Sequence, residues 1–516
     1  MHPQPTDEAL AARTLANLEA VVAVDSQSDE RSPGIPTTAG QVALAELVAD
    51  YHARLGAAVE RDAMANVIAS YRGRGRGADR APVALMVHLD TARGTAAVPS
   101  LHVHRGWRGE ALRFPANPDI RVDVATYPSL APFVGHDVVH GPGDRPFGLD
   151  DKLGLAHCMT LAALLEQHAE DRPPLVFVGR PDEEVGRHEA VVGLAALLQE
   201  RGVRWAYTVD GILPYEVNVE NFNAAMTSVT FAPRPGRGLR GAGFVAQVGG
   251  VNTHGATAAA EGHRAAPRLV AEWRAALAPA DAEILGFESD ELRDCDARVA
   301  LRVADGAEAR VRAALEAVMA PHRPRGASWS LTPSSAALAD DGAAEAMLAW
   351  ISRFLASRPG FTLPAEDSSD RDGYSQPMRA RTLAAGIQLD VRLRDFNKDT
   401  LARRVEHVRG LAGDNAFNRI DQYVNMGPEL AAHPGLADAA ERAGQAAGVA
   451  TRRLPIRGGT GVDVFLERGI PVANLGTGYF APESEKELTS LQLMAGHARW
   501  LLALARELAE GGPAAT

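Results

Sequence analysis

Three apolar runs in this chain each stop at a carboxylate. Pro82-Val-Ala-Leu-Met-Val-His88 is followed by Leu89-Asp90. Pro174-Leu-Val-Phe-Val-Gly179 runs into Arg180-Pro181-Asp182-Glu183-Glu184, and Trp205-Ala-Tyr-Thr-Val209 into Asp210-Gly211. Short Val-rich runs bounded by Pro, Gly and acids read as buried strands. Asn66-Val-Ile-Ala-Ser-Tyr71 reads as another. Between them, Thr6 to Val24 and Thr38 to Leu55 carry helical periodicity, the second stopped by Gly56, and Leu153 to Gln167 reads as an apolar helix. Strands alternating with helices predict an α/β layered sheet. Ligands of such sheets bind outside the carboxyl ends of the strands, which is where these acids lie.

The texture changes near Asn223. Strands are expected at 225–232, 297–303, 328–332 and 384–393, helices at 265–277, 306–319, 342–356 and 399–411, and a Gly- and Arg-rich loop at 234–243. Two strand–helix units thus follow one another between about 223 and 412. The first texture resumes from Ile420, with a helix at 435–447, the strand Val472-Ala-Asn-Leu475 and a last helix at 490–508. The expected organisation is an α/β domain formed by 1–222 and 413–516, interrupted by an inserted α+β domain at 223–412. Three consecutive domains are the alternative.

The formal charge of −12, from 53 basic and 65 acidic residues, argues against a nucleic-acid partner. No run of 18 apolar residues occurs, so no membrane span is expected. The polar stretch Met1 to Leu10 and the two cysteines, Cys158 and Cys295, lead us to expect a cytoplasmic protein. Cys158 lies within an apolar helix and reads as core.

Four clusters carry the candidate chemistry. In His88-Leu-Asp90, His88 is a candidate metal ligand and Asp90 the carboxylate that orients its ring. Gly148-Leu-Asp150-Asp151-Lys152 opens the helix at Leu153; an N-cap explains one aspartate, but two adjacent carboxylates repel unless a cation is present. Asp182-Glu183-Glu184 and Asp210 are the third and fourth. Oxygen ligands with one histidine suit zinc, manganese or cobalt. Lys152, one of only three lysines, reads as a local ion-pair partner of the aspartates. His102, His104, His136 and His140 fall in a segment that reads as irregular and are assigned no role.

Several stretches together resemble the two-zinc metallopeptidases of the peptidase T type, related to carboxypeptidase G, Xaa-His dipeptidase and succinyl-diaminopimelate desuccinylase. They are Asp25-Ser-Gln-Ser-Asp-Glu, Pro36-Thr-Thr-Ala-Gly-Gln, His88-Leu-Asp-Thr, Gly148-Leu-Asp-Asp-Lys, Pro181-Asp-Glu-Glu-Val-Gly-Arg, Tyr207-Thr-Val-Asp-Gly, Glu220-Asn-Phe-Asn-Ala-Ala, Tyr423-Val-Asn-Met, Pro455-Ile-Arg-Gly-Gly-Thr and Asn474-Leu-Gly-Thr-Gly. The resemblance implies a three-layer α/β/α zinc-peptidase domain carrying an α+β lid, here enlarged or duplicated. It implies two divalent metal ions, zinc with manganese or cobalt as alternatives. Asp150 would bridge them, His88 and Asp210 would complete one site, and Glu184 would bind the other. Glu183 would be the general base and Asp90 the orienting residue. His254 would help hold the reacting carbonyl oxygen, and Arg457 would grip a substrate carboxylate. The implied substrate is a small peptide or an N-acyl amino acid.

The chain departs from that pattern in three places. The family's last ligand, a His after Asn-Leu-Gly-Thr-Gly, aligns with Glu483, and no His lies between His433 and His497. Glu483 would ligate through oxygen, making the site more negative and favouring harder metals, or the second metal is lost; Glu485 competes for the position. The Pro-Gly after the lid His is Gly255-Ala256, and the acid after Gly-Gly-Thr is Gly461. The segment from about 278 to 380 is atypical of peptidase T. Xaa-His dipeptidases carry an enlarged lid that mimics a dimer partner, so a monomer, or a homodimer through another surface, is expected. A metal-dependent hydrolase is the leading reading. A catalytically silent binding protein on the same scaffold is the alternative.

Overall fold

The computed structural model describes residues 5–168, 170–291, 293, 295–336, 338, 341–358 and 360–511. Residues 1–4 and 512–516, the extreme ends of the segments expected above, lie outside the described residues. The chain forms two compact units: Met1–Asn117 with Ser129–Asn221 and Asn425–Thr516, and Pro118–Pro128 with Phe222–Val424.

The first unit is built on an eight-stranded mixed sheet. Leu175–Arg180, Val83–His88, Trp205–Gly211 and Val472–Gly476 lie side by side and parallel at its centre. Val67–Tyr71 and then Ala58–Arg61 add antiparallel strands on one side, and Glu216–Asn218 and Arg452–Arg453 finish the other. The α/β layered class expected from the sequence is the one observed. The strands Val83–His88 and Leu175–Arg180 are buried at every position, which is why they read as unbroken apolar runs rather than alternating ones.

The helix Leu149–Gln167 is buried around its whole circumference from Leu153 to Leu165, as an all-round apolar helix must be. It packs on Asp7–Val22 and Leu491–Glu510, the latter capped by Ser490, whose hydroxyl accepts from Leu493 N–H. Close approach to the sheet depends on Gly154: a Cβ there would lie 1.8 Å from the Val209 carbonyl oxygen. The segment read as irregular contains a small sheet, in which His102–His104 and Leu488–Ser490 flank Val138–His140. Three residues per strand are too few for a periodic signal.

The second unit holds two four-stranded antiparallel sheets. One is ordered Tyr374–Leu383, Gly386–Asp395, Asn223–Phe231, Ala416–Tyr423; the other is Ala282–Ser289, Asp296–Val303, Ala242–Gly249, Ser328–Pro333. Adding the helices Ala266–Ala276, Glu308–Met319, Ala343–Ala356 and Lys398–Ala412 gives two βαββαβ modules with the same strand order, second-third-first-fourth. They do not follow one another as expected. The module 242–333 is inserted between the first strand and first helix of the other. The modules meet edge to edge, where Ala380 N–H donates to Ser289 Oγ (3.0 Å) and Thr382 N–H to Glu288 Oε2 (2.8 Å). Helix Ala343–Ala356 shows why a single core results: Met347, Leu348, Trp350, Ile351 and Phe354 form one apolar stripe, all buried in the cluster that fills this unit.

Candidate metal centre

The central strands deliver their acids to one place in the first unit. His88 ends its strand with only 1% of its surface exposed. Its Nδ1 lies 2.9 Å from the Asp90 carbonyl oxygen and 3.5 Å from Asp90 Oδ1. Its Nε2 faces Asp150 Oδ1 at 3.0 Å and Asp210 Oδ1 at 3.5 Å. One ring nitrogen is thus occupied by an orienting group while the other meets carboxylates, the usual arrangement of a metal-binding histidine. The fully buried Asp90 does a second job. Its two carboxylate oxygens accept the backbone N–H groups of Glu183 (3.0 Å) and Glu184 (3.1 Å), locking the glutamate loop to the histidine strand.

Ligand atoms of His88, Asp150 and Asp210 all lie within 4.8 Å of one another, and so do those of Asp150, Glu184 and Glu483. Asp150 belongs to both groups. It sits at the start of the helix Leu149–Gln167 in a non-helical conformation (φ −87°, ψ 108°), after the left-handed Gly148. Its neighbour Asp151 turns the other way and accepts the His88 backbone N–H (3.2 Å). Lys152 does not pair with these aspartates; its Nζ donates to the Val24 carbonyl (2.7 Å).

The electrostatics call for cations. Burial, the Glu483 carboxylate and then Asp150 push Glu184 well above the usual carboxylate range. Burial drives Asp210 up to about 7, with His88 opposing and Asp150 and Glu183 adding to the rise. Burial alone would lower His88, but Asp210, Asp150 and Asp90 more than reverse it. Glu184 Oε1 is shut off from solvent and accepts no hydrogen bond. A buried anionic oxygen left so costs free energy that a divalent ion would recover. The residues present therefore fit a pair of metal ions.

The three acids after the strand Leu175–Arg180 take different tasks. Asp182 is tied to Thr37 and Gln41 and anchors the loop. Glu184 enters the ligand group. Glu183 Oε1 lies 3.7 Å from Arg180 Nη2. Arg180, 3% exposed, also donates to the carbonyls of Thr460 (2.9 Å) and Gly461 (2.8 Å). This accounts for the missing acid after Gly-Gly-Thr. Gly461 has φ +54°, and a Cβ there would lie 2.3 Å from Arg180 Nη1 and 2.7 Å from Glu183 Oε1.

Glu483 is held by means the sequence reading missed. Its loop is closed by the backbone pair Phe480 and Leu488. Glu487, 1% exposed, accepts the Glu483 N–H on Oε1 (3.0 Å) and the N–H groups of Phe147 and Gly148 on Oε2 (2.8 Å each). One carboxylate thus clamps the Glu483 loop to the approach to Asp150. Nothing in Glu483-Ser-Glu485-Lys-Glu487 marks which acid turns inward. Glu485 lies beside Lys486 Nζ (3.2 Å) and is in neither ligand group. Arg180 and Tyr479 were also missed. Tyr479 is 2% exposed, its hydroxyl makes no hydrogen bond, and burial, then Asp150 and Asp210, raise its pKa. Arg457 is buried in the segment whose Ile456 N–H donates to Glu220 O (2.9 Å). His254 belongs to the second unit, where its Nδ1 accepts the Ala256 N–H (3.2 Å).

Residues 123–507 match the family model described as Peptidase family M20/M25/M40. The chain is 34% identical to Peptidase T of Exiguobacterium sibiricum over 213 residues, 40% of this chain and 50% of that protein. It is also 34% identical to a Peptidase T-like protein of Rhizobium meliloti over 211 residues, again 40% and 50% of the two chains. These alignments span about half the length of the curated relatives. Among solved structures, the aminopeptidase PepT of Bacillus cereus is similar with a TM-score of 0.51 at 15% identity, over 97% of this chain and 99% of that one. Aminoacylhistidine dipeptidase of Vibrio alginolyticus is similar with a TM-score of 0.52 at 14% identity, over 98% and 97%. At such identities the structural likeness shows the fold.

Proposed function

Because the chain belongs to peptidase family M20/M25/M40, we propose that it is a metal-dependent hydrolase cleaving an amide bond in a small peptide, in the manner of a tripeptide aminopeptidase, or in an N-acyl amino acid. The observation that carries this reading is the pair of ligand groups sharing Asp150. His88, Asp150 and Asp210 would hold one divalent ion, and Asp150, Glu184 and Glu483 the other, zinc being the first choice and manganese or cobalt the alternatives. Such ions supply Lewis acidity toward the scissile carbonyl and toward water. Glu183 accepts the proton of the attacking water and returns it to the departing amine, so that one water and one amide become an acid and an amine. Asp90 keeps His88 Nε2 turned to the metal side. The roles the resemblance gives Arg457, a substrate carboxylate, and His254, the reacting carbonyl oxygen, are part of this proposal.

Chelator-treated protein should be inactive on unblocked tripeptides and regain hydrolysis when zinc, manganese or cobalt is added. Hydrolysis unaffected by chelation would refute the metal assignment. Two buried cysteines outside any disulfide, Cys158 and Cys295, suit the reducing cytoplasm, where we place the protein.

In the second unit the edge strands Ala282–Ser289 and Tyr374–Leu383 cover one another, so neither edge is open to a second copy. We accordingly expect a monomer, with a mass near 54.6 kDa by light scattering, or a dimer through another surface. A dimer joined through those two strands would contradict this.

A further inference from the structure

The two ligand groups differ in donor chemistry. The first offers one imidazole nitrogen and two carboxylates; the second offers carboxylates only. Together the four carboxylates carry a formal charge of −4, which two divalent ions would neutralise. A histidine at position 483 would leave −3 and a net positive centre. Glu483 is set in place, not merely nearby: it holds a left-handed backbone conformation (φ +55°) and its N–H is bound by Glu487.

We propose that the two metal positions are unequal: the His88–Asp150–Asp210 position selects zinc or cobalt, and the Asp150–Glu184–Glu483 position is an all-oxygen site for a hard divalent ion of the manganese or magnesium type. The inference rests on the two-metal reading and refines it. Zinc outbinds manganese at most protein sites, but nitrogen and sulfur donors supply much of the margin, so a site of carboxylates alone narrows it. Hard ions also keep part of their water shell and favour oxygen-rich, anionic surroundings. Two further observations point to a polar, cationic occupant. Glu184 Oε1 is buried with no hydrogen-bond partner. The Tyr479 hydroxyl, equally unpartnered, lies in a side chain 2% exposed.

The test uses the whole chain, freed of metal and dialysed to equilibrium against two equivalents of zinc with manganese in large excess. Metal content is read by elemental mass spectrometry and bound manganese by electron paramagnetic resonance. The wild-type chain should hold one zinc and one manganese. Glu483→His should hold two zinc ions and lose the bound-manganese signal, the zinc preference of that position rising about tenfold or more. Glu483→Gln, which keeps the shape and removes the charge, should keep one zinc and lose the second ion, so the comparison survives if Glu483→His does not fold. Two zinc ions in the wild-type chain, or bound manganese unchanged in Glu483→His, would overturn the inference while leaving the two-metal reading intact. No bound metal of either kind would remove both.

Discussion

Asp150→Asn should cost the protein both metal ions at once. Asp150 is the one residue shared by the two ligand groups, and its Oδ1 faces His88 Nε2 at 3.0 Å. Asparagine has nearly the same volume, so the fold should persist, but a neutral amide cannot bridge two cations. Hydrolysis should fall by more than about a thousandfold, since the Lewis acidity and the positioning go together. A structural role for Asp150 predicts the reverse pattern, with stability lost and metal retained. Here the metal-free variant should be close in stability to metal-free wild type, because relief of the like charge that raises both Glu184 and Asp210 offsets the weakened contact with His88. Metal analysis and thermal unfolding in chelator, measured side by side, decide between the two.

Glu183→Gln should separate metal binding from turnover. Glu183 is in neither ligand group, and what ties residue 183 to Asp90 is its backbone N–H, which the substitution leaves in place. Both ions should therefore remain bound. The amide cannot accept a proton, so kcat should drop by about a hundred- to ten-thousandfold, with KM little changed. Loss of a metal ion along with activity would instead make Glu183 a ligand. Activity within a few fold of wild type would assign the base elsewhere.

The central sheet and most of the centre were legible because the physics there is local. A strand buried on both faces must be apolar along its length, and Val83–His88 and Leu175–Arg180 are so up to their last residues, where His88 and Arg180 enter the centre. The acids that follow them had to sit at strand ends. The second unit was harder. Strand Tyr374–Leu383 contains Pro377 and three polar or charged outer positions, and it is tolerated because it is an edge strand with a bulge directly after Pro377. Strands Ala242–Gly249 and Ala282–Ser289 each carry glycine and polar residues, which weakens their apolar signal in the sequence. Nesting could not be read at all, since the partner of Asn223–Phe231 is Gly386–Asp395, more than 150 residues away. In the centre, the missed residues are those whose role depends on distant chain segments. Glu487 reaches Phe147 and Gly148, and Arg180 reaches Thr460 and Gly461. Neither spacing nor composition marks such contacts in advance.

The most direct test is a metal titration of the chelator-treated chain in which bound metal and cleavage of di-, tri- and N-acyl substrates are followed together. Negligible cleavage is expected without metal, and full activity only when two ions are bound per chain. Two bound ions with no cleavage of any such substrate would contradict that expectation, and would leave a binding protein on a peptidase scaffold.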